Sequence, residues 1–352
     1  MDVGRWTFDV FGLSTELIEI IRHKIDNDGP QPFAWFMEQA LYHPEHGYYS
    51  SDRAKIGRRG DYFTNVSVGP LFGELLAAQF VEVWERFGKV DNFTLVEQGA
   101  HHGEFARDVL ESTQRRSPQL FAALHYWIAE PFLQLQDRQS QTLAKFCDRV
   151  QWRRSVDELD PFVGVHFSNE LLDAMPVNLR GKLVGLNGSD FVFVDSSEEQ
   201  TTNRSQLDWI ANVATKLRRG FVLTVDYGFP KTEFREVVQF RARHRSLDSP
   251  FERIGEADIT VHVNWTDIAE AAEKNGLGIA GFTDQHHFLT GIISTFLEIA
   301  ANEKSKRALQ TLLHPEMLGR SFQVLALAKD VDLEAPLSGF KFARDPWEAL
   351  GL

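Results

Sequence analysis

The strongest constraint on this chain is a rhythm that begins near residue 93. Short apolar runs end at an acidic residue or a glycine and give way to helical stretches. Phe93–Glu97 runs up to Gly99 and precedes a helical stretch over Glu104–Ser112. His125–Ala129 ends at Glu130 and leads into a helical pattern from Phe132 to Phe146. Val150–Trp152 is a third run, and Phe162–Phe167 a fourth, ending in Ser168-Asn169-Glu170. Phe221–Val225 is a fifth, ending in Asp226-Tyr227-Gly228, and Ser321–Ala328 returns as a late strand. Apolar strands alternating with helices imply an α/β fold whose parallel sheet is covered on both faces.

The flanks depart from that rhythm. Ser14 to Lys24 and Phe33 to Leu41 have helical spacing, broken by Pro30 and Pro32. Tyr42 to Phe63 reads as a long loop, and Pro70 to Phe87 as an amphipathic helix. Leu183–Leu186 and Phe191–Val194 flank Asn187-Gly188, the signature of a β-hairpin. No element is assigned between this hairpin and the fifth run. The expected organisation is an N-terminal helical and loop segment over 1–75 and a sheet core over 76–228 and 319–330. An inserted cap over 229–318 and a C-terminal tail over 331–352 complete it.

Composition narrows the classes. Of 352 residues, 43% are hydrophobic and 25% charged, ordinary for a globular protein. Cys147 is the single cysteine, which excludes an intramolecular disulfide and a cysteine-rich zinc site. A formal net charge of −13 argues against a large nucleic-acid-binding face. The first 22 residues carry Asp2, Asp9 and Glu16, unlike a secretory signal, and are poor in the Arg and Ser of a transit peptide. No stretch approaches the ~20 apolar residues of a membrane helix. The expectation is a soluble, cytoplasmic protein without membrane insertion.

The pair Glu97 and Glu130 carries the most chemistry, because both sit at the carboxyl ends of predicted strands. Open α/β sheets bind ligands at that edge. Gly99 and Gly103 would let a ligand approach the backbone, and Glu130 could accept hydrogen bonds from ribose hydroxyls. The plain alternative is a tight turn and a helix cap. A dinucleotide fingerprint is absent, since positions 101 and 104 are His and Glu, and Glu130 follows Gly99 by 31 residues, where about 20 are expected. Glu170 and Asp173, three apart after the fourth strand, could hold a cation such as guanidinium, or simply support a helix start. Adjacent histidine pairs and the lack of His-Glu-x-x-His give no metal site.

Seven segments make a larger pattern: FAWFMEQALYHPEHGYY over Phe33–Tyr49, GDYFTNVSVGPLFGELL over Gly60–Leu76, LVEQGAHHG over Leu95–Gly103, SNELLDAMP over Ser168–Pro176, VDYG over Val225–Gly228, DITVHV over Asp258–Val263 and GRSFQVLALA over Gly319–Ala328. In this order they resemble the MidA-like family of S-adenosylmethionine-dependent methyltransferases. That family includes a mitochondrial complex I assembly factor that methylates a protein arginine. The resemblance implies a Rossmann-like class I methyltransferase sheet with an N-terminal helical segment and an inserted α+β cap. It implies S-adenosyl-L-methionine as cofactor, bound by Asp61, Thr64, Glu97, Gly99, Gly103, Glu130 and Asn169. It also places Glu170, Asp173 and His262 at the reacting edge, with no metal. Three departures from the family pattern stand out. His101 stands where a middle glycine is usual, Ser67 replaces a glutamate, and Glu236-Val237-Val238 replaces Gly-Thr-Leu.

The expected activity is therefore methyl transfer to an arginine of a partner protein, such as a respiratory-complex subunit, by an enzyme that could pair as a homodimer. The alternatives are a methyltransferase for a small molecule or another residue, and an assembly or binding protein that keeps the fold with weakened catalysis.

Overall fold

The computed structural model describes residues 12–50, 64–197, 203–242, 245–296 and 303–352. The chain divides into two compact units. The first gathers 1–62, 175–204 and 238–260, and the second gathers 63–174, 205–237 and 261–352. The observed partition thus cuts across the expected segments. Residues 238–260 group with the N-terminal unit, whereas 261–318 group with the sheet.

The second unit is built on an eight-stranded sheet, seven strands in one path and an eighth, Val263–Asn264, paired in parallel with Gly228-Phe229 beside it. Helix α1 (Leu71–Arg86) leads to β1 (Phe93–Gln98), α2 (Glu104–Arg116) and β2 (Leu124–Ala129). Then come α3 (Leu133–Thr142), β3 (Val150–Arg153), β4 (Phe162–Asn169), α4 (Arg204–Lys216) and β5 (Leu217–Phe229). Helix α5 (Trp265–Lys274), β6 (Gly278–Asp284), α6 (Gln285–Thr295) and β7 (Phe322–Lys329) complete it. The sheet order is β6-β7-β5-β4-β1-β2-β3, with β7 antiparallel to both neighbours and the first five strands parallel. This is the Rossmann-like class I methyltransferase arrangement. The chain runs outward from β1 through β2 to β3, then returns to place β4 on the other side of β1. The switch point of the sheet therefore lies at the carboxyl ends of β1 and β4, where open α/β sheets bind ligands.

The central strands are buried on both faces. Phe93, Leu95 and Val96 of β1 are fully buried, and Phe80 and Phe105 each pack on Phe167 of β4. Helix α4 supplies Trp209, Ile210, Val213 and Ala214 to the core, an apolar face at helical spacing that the strand–helix rhythm does not mark. Strand β6 also belongs to the sheet core, not to a separate cap. It pairs with β7 from Gly278↔Ala328 to Asp284↔Gln323. The C-terminal tail is packed as well, with Phe340 and Leu350 buried.

In the first unit, helix Gly12–Asp28 buries Leu17, Ile21 and Ile25, one face at i, i+4 and i+8. The hairpin pairs Lys182–Asn187 with Asp190–Asp195, so its two-residue loop is Gly188-Ser189, one position later than the Asn187-Gly188 expected. Gln31–Pro32 adds a third short strand to the hairpin. Phe33, Phe36, Phe191, Phe193 and Phe251 form an aromatic cluster with centroid separations of 5.0–6.4 Å.

Candidate active site

The loop after β1 reads Gly99-Ala100-His101-His102-Gly103 and turns three times through the left-handed region. Gly99 has φ 81°, His101 φ 46° and Gly103 φ 84°. Glycine enters that region freely, and a histidine pays roughly 1–2 kcal/mol for its Cβ. The histidine at the middle position therefore keeps the backbone form a glycine would favour there, under strain. Gly103 starts α2, and a Cβ on it would meet Leu143 Cδ1 at 3.3 Å. The His101 ring stacks on His102 with centroids 3.7 Å apart, and burial pushes its pKa down to about 3. His101, His102 and Glu104 bring one potential metal-ligand atom each within 4.8 Å of the others. Arg138 Nη1 lies 3.1 Å from His102 Nε2, so a guanidinium already stands where a cation would be repelled.

Beside this loop lie two buried carboxyls. Glu97, at the end of β1, accepts a 2.5 Å hydrogen bond from Tyr126 Oη of β2. Burial raises its pKa to about 8, the Tyr126 bond opposing. Glu130, just after β2, accepts from Phe132 N at 3.1 Å on one oxygen and from Gln139 Nε2 at 3.1 Å on the other. Its pKa is pushed up to about 7, again by burial. Each Glu130 oxygen keeps a lone pair, the number that two vicinal hydroxyls need.

A second cluster lies at the carboxyl ends of β4 and β5. Asp226 is fully buried, and one of its carboxylate oxygens accepts from the backbone N–H groups of Leu171, Leu172 and Asp173 at 3.1, 2.8 and 3.3 Å. Burial pushes its pKa up to about 7 against these donors and that of Tyr227. The grip bends the chain sharply after β4, and Glu170 takes φ 53°. Glu170 Oε1 accepts from Asn169 Nδ2 at 2.8 Å and from Asn65 N at 3.4 Å. Asn65 Nδ2 donates to Asn169 Oδ1 at 3.0 Å. Thr64 and Ser67 share a 2.7 Å hydroxyl bond, so the serine at the departing position closes a turn. The carbonyl of Asp173 accepts from Val261 N at 2.8 Å, which ties this loop to the segment carrying His262. His262 is partly buried against Phe229, and burial lowers its pKa.

The structure thus brings Asn169, Glu170, Asp173 and Thr64 to one edge, with His262 linked to it, and Glu97, Gly99, Gly103 and Glu130 to the neighbouring strand ends. Asp61 lies outside the described residues. Sequence reasoning missed four members: Tyr126, Gln139, Asn65 and the anchoring role of Asp226. Of these only Asp226 carried a signal, as the acid closing the fifth strand.

The fold has known counterparts. A protein family described as "Putative S-adenosyl-L-methionine-dependent methyltransferase" matches residues 75–185 and 186–283, more than half of the chain. The chain belongs to this family. A crystal structure from Burkholderia thailandensis, bound to S-adenosyl-homocysteine, aligns with TM-score 0.83 at 28% identity. It covers 94% of this chain and 96% of that one. A Drosophila melanogaster protein named as a mitochondrial protein arginine methyltransferase NDUFAF7 homolog is 26% identical over 88% of this chain and 84% of its own length. The human mitochondrial protein arginine methyltransferase NDUFAF7 is 25% identical over 89% and 83%.

The protein is an S-adenosyl-L-methionine-dependent methyltransferase. These relatives correct the expectation of a cytoplasmic protein, because they are named as mitochondrial. Among the described residues, no helix is long and apolar enough to cross a membrane. The residues present fit the cofactor. Gly99, exposed and without a Cβ, leaves room at the β1 end, and Glu130 offers two acceptor sites. Asn65 Oδ1 is buried without a protein partner, the kind of group a ligand's donor completes.

Proposed function

We propose that this methyltransferase modifies an arginine side chain of a protein. The observation that carries the reading is the pair Glu170 and Asp173, two acids on one loop pinned by Asp226 at the reacting edge. Curated relatives named as protein arginine methyltransferases support it.

The bound cofactor supplies an electrophilic methyl group carried on a sulfonium. The protein must align a nucleophile with that methyl and take up one proton. A guanidinium is planar, and carboxylates hold it through paired N–H···O bonds that fix its plane. Glu170 is itself oriented by Asn65 and Asn169, and Asp173 by the backbone it shares with Asp226 and Val261. As the nitrogen takes the methyl, whose bond to sulfur would break with both electrons left on a neutral thioether, the nitrogen sheds a proton that one of these carboxylates accepts. The product guanidinium keeps its charge and its grip on the pair. His262, whose pKa burial lowers, adds a ring nitrogen on the linked segment.

The test is transfer of labelled methyl from S-adenosylmethionine into a cell lysate, followed by hydrolysis of the protein fraction. Label in methylarginine is expected, and the resemblance makes a respiratory-complex subunit the first substrate to try. Label confined to small metabolites would overturn the reading. With a protein substrate in hand, Asp173→Asn should lower turnover about a hundredfold or more with cofactor affinity nearly intact. If a folded Asp173→Asn protein keeps its turnover, the orienting role is lost.

A further inference from the structure

Helix α3 carries a glutamine that no part of the methyl-transfer chemistry above requires. Gln139 is fully buried and bonded on every side. Its Nε2 donates to the His101 carbonyl at 2.9 Å and to Glu130 Oε2 at 3.1 Å. Its Oε1 accepts from Trp152 Nε1 of β3 at 2.9 Å. One amide therefore ties the strained middle of the β1 loop, the acid after β2 and the end of β3.

We propose that Gln139 is the positioning residue of the cofactor site, holding the Glu130 carboxylate and the His101 turn in one fixed relation, with Trp152 setting which way its amide faces.

The chemistry of the partners makes the orientation unique. His101 O and Glu130 Oε2 are both acceptors, so only the NH2 end satisfies them. The reversed amide would set a carbonyl oxygen against two others in a dry site and leave the Trp152 indole N–H unpaired. The indole donor thus selects the productive orientation from the far side. The loop also needs this hold, because His101 adopts φ 46° without glycine's freedom, and strained backbone persists only where its surroundings over-determine it. Helix α3 sits close enough to the loop to supply it, since a Cβ on Gly103 would lie 3.5 Å from Gln139 Cα. The inference rests on Glu130 as the ribose acid. Other charged or titratable groups around this node are His101 and His102 of the loop, Arg138 of α3 and Arg153 of β3.

The decisive variants are Gln139→Met, which keeps the side chain's length and removes the amide, and Trp152→Phe, which removes the orienting donor together with part of the ring. Binding of S-adenosylhomocysteine is followed by calorimetry from pH 5.5 to 8.5, beside Glu130→Gln. Gln139→Met should weaken binding about tenfold at pH 8. It should also move the acid-side loss of affinity upward by roughly half a pH unit to one unit, because the amide no longer stabilises ionised Glu130. A role in packing alone would lower thermal stability and leave the position of that loss where it is. Trp152→Phe should give a smaller effect of the same sign, and it decides the matter should Gln139→Met fold poorly. If Glu130→Gln weakens binding while both other variants retain wild-type affinity and pH profile, the positioning role is overturned. If Glu130→Gln itself binds as wild type, the assignment of Glu130 fails instead.

Discussion

The cofactor should bind this enzyme more weakly in acid, and Glu130 should be the cause. The Glu130 carboxyl is buried after β2 with a pKa near 7, so it changes charge within the working range. Ribose hydroxyls donate hydrogen bonds, and the ionised carboxylate accepts two where the protonated form accepts less well and without charge. If binding requires the ionised form, affinity is nearly full at pH 8, halved at pH 7 and about tenfold lower at pH 6, a change of about 1.4 kcal/mol. Glu130→Gln removes that dependence and lowers the plateau. Hydrogen bonds to a charged group are worth about 1.5–3 kcal/mol, so the plateau should fall roughly ten- to a hundredfold.

Calorimetry with S-adenosylhomocysteine from pH 5.5 to 8.5 reads both quantities. The ligand's own ionisable groups titrate equally against wild type and variant and cancel in their difference. Asp226 has a similar pKa near 7 and is unaltered in both proteins. The reasoning is refuted if the two profiles run parallel, because a ribose contact to a titrating carboxylate must leave its mark on one of them alone.

Other outcomes follow from the same carboxyls and turns. Glu97 has its pKa raised from an ordinary 4.5 to about 8, so the native state holds a proton that the unfolded chain releases, and stability falls as pH rises through that interval. Glu97→Gln should accordingly gain roughly 2–3 kcal/mol on wild type between pH 6 and pH 9 in urea unfolding of the cofactor-free protein, and a constant difference would contradict the buried, protonated state. His101→Gly should keep S-adenosylhomocysteine affinity within about threefold and stability within about 1 kcal/mol, since relieved strain and added chain entropy oppose each other. A large gain in affinity would instead mark the natural loop as degenerate. Gly164 of β4 has φ 149°, and a Cβ there would lie 1.9 Å from Thr94 O, so Gly164→Ala should cost at least ~3 kcal/mol and show as lost soluble expression or a much lower Tm.

What the sequence discloses and what it hides divides along the range of the interactions involved. The parallel strands were legible because each is a local apolar run, and Glu97, Glu130 and Glu170 because each closes or follows one. Strand β6 was not legible: GIAGFTD contains two glycines and only a few apolar residues, and its extended form is secured by pairing with β7, some forty residues later. Helix α4 carried its signal in Trp209, Ile210 and Val213, yet that spacing stands out only once the hairpin before it is known to end at Asp195. The grouping of 175–204 and 238–260 with the N-terminal unit has no local signal at all, since it is made of contacts between distant segments. The same rule separates the site's acids from the residues that position them. An acid at a strand end announces itself through the strand. Gln139 bonds partners 38, 9 and 13 residues away, and Asp226 grips backbone more than fifty residues upstream. A glutamine inside a polar helix looks the same whether it binds nothing or holds a loop, and Asp226 announces itself as the acid closing the fifth run without announcing what it grips, so both roles appear only when the fold closes the distance. The departures from the family pattern follow suit. His101 reads as a lost glycine, but the backbone it occupies is still left-handed, and the amide bonded to its carbonyl belongs to the helix after β2. The strain and its restraint are encoded in different parts of the chain, and so a substitution in either should be felt at the other.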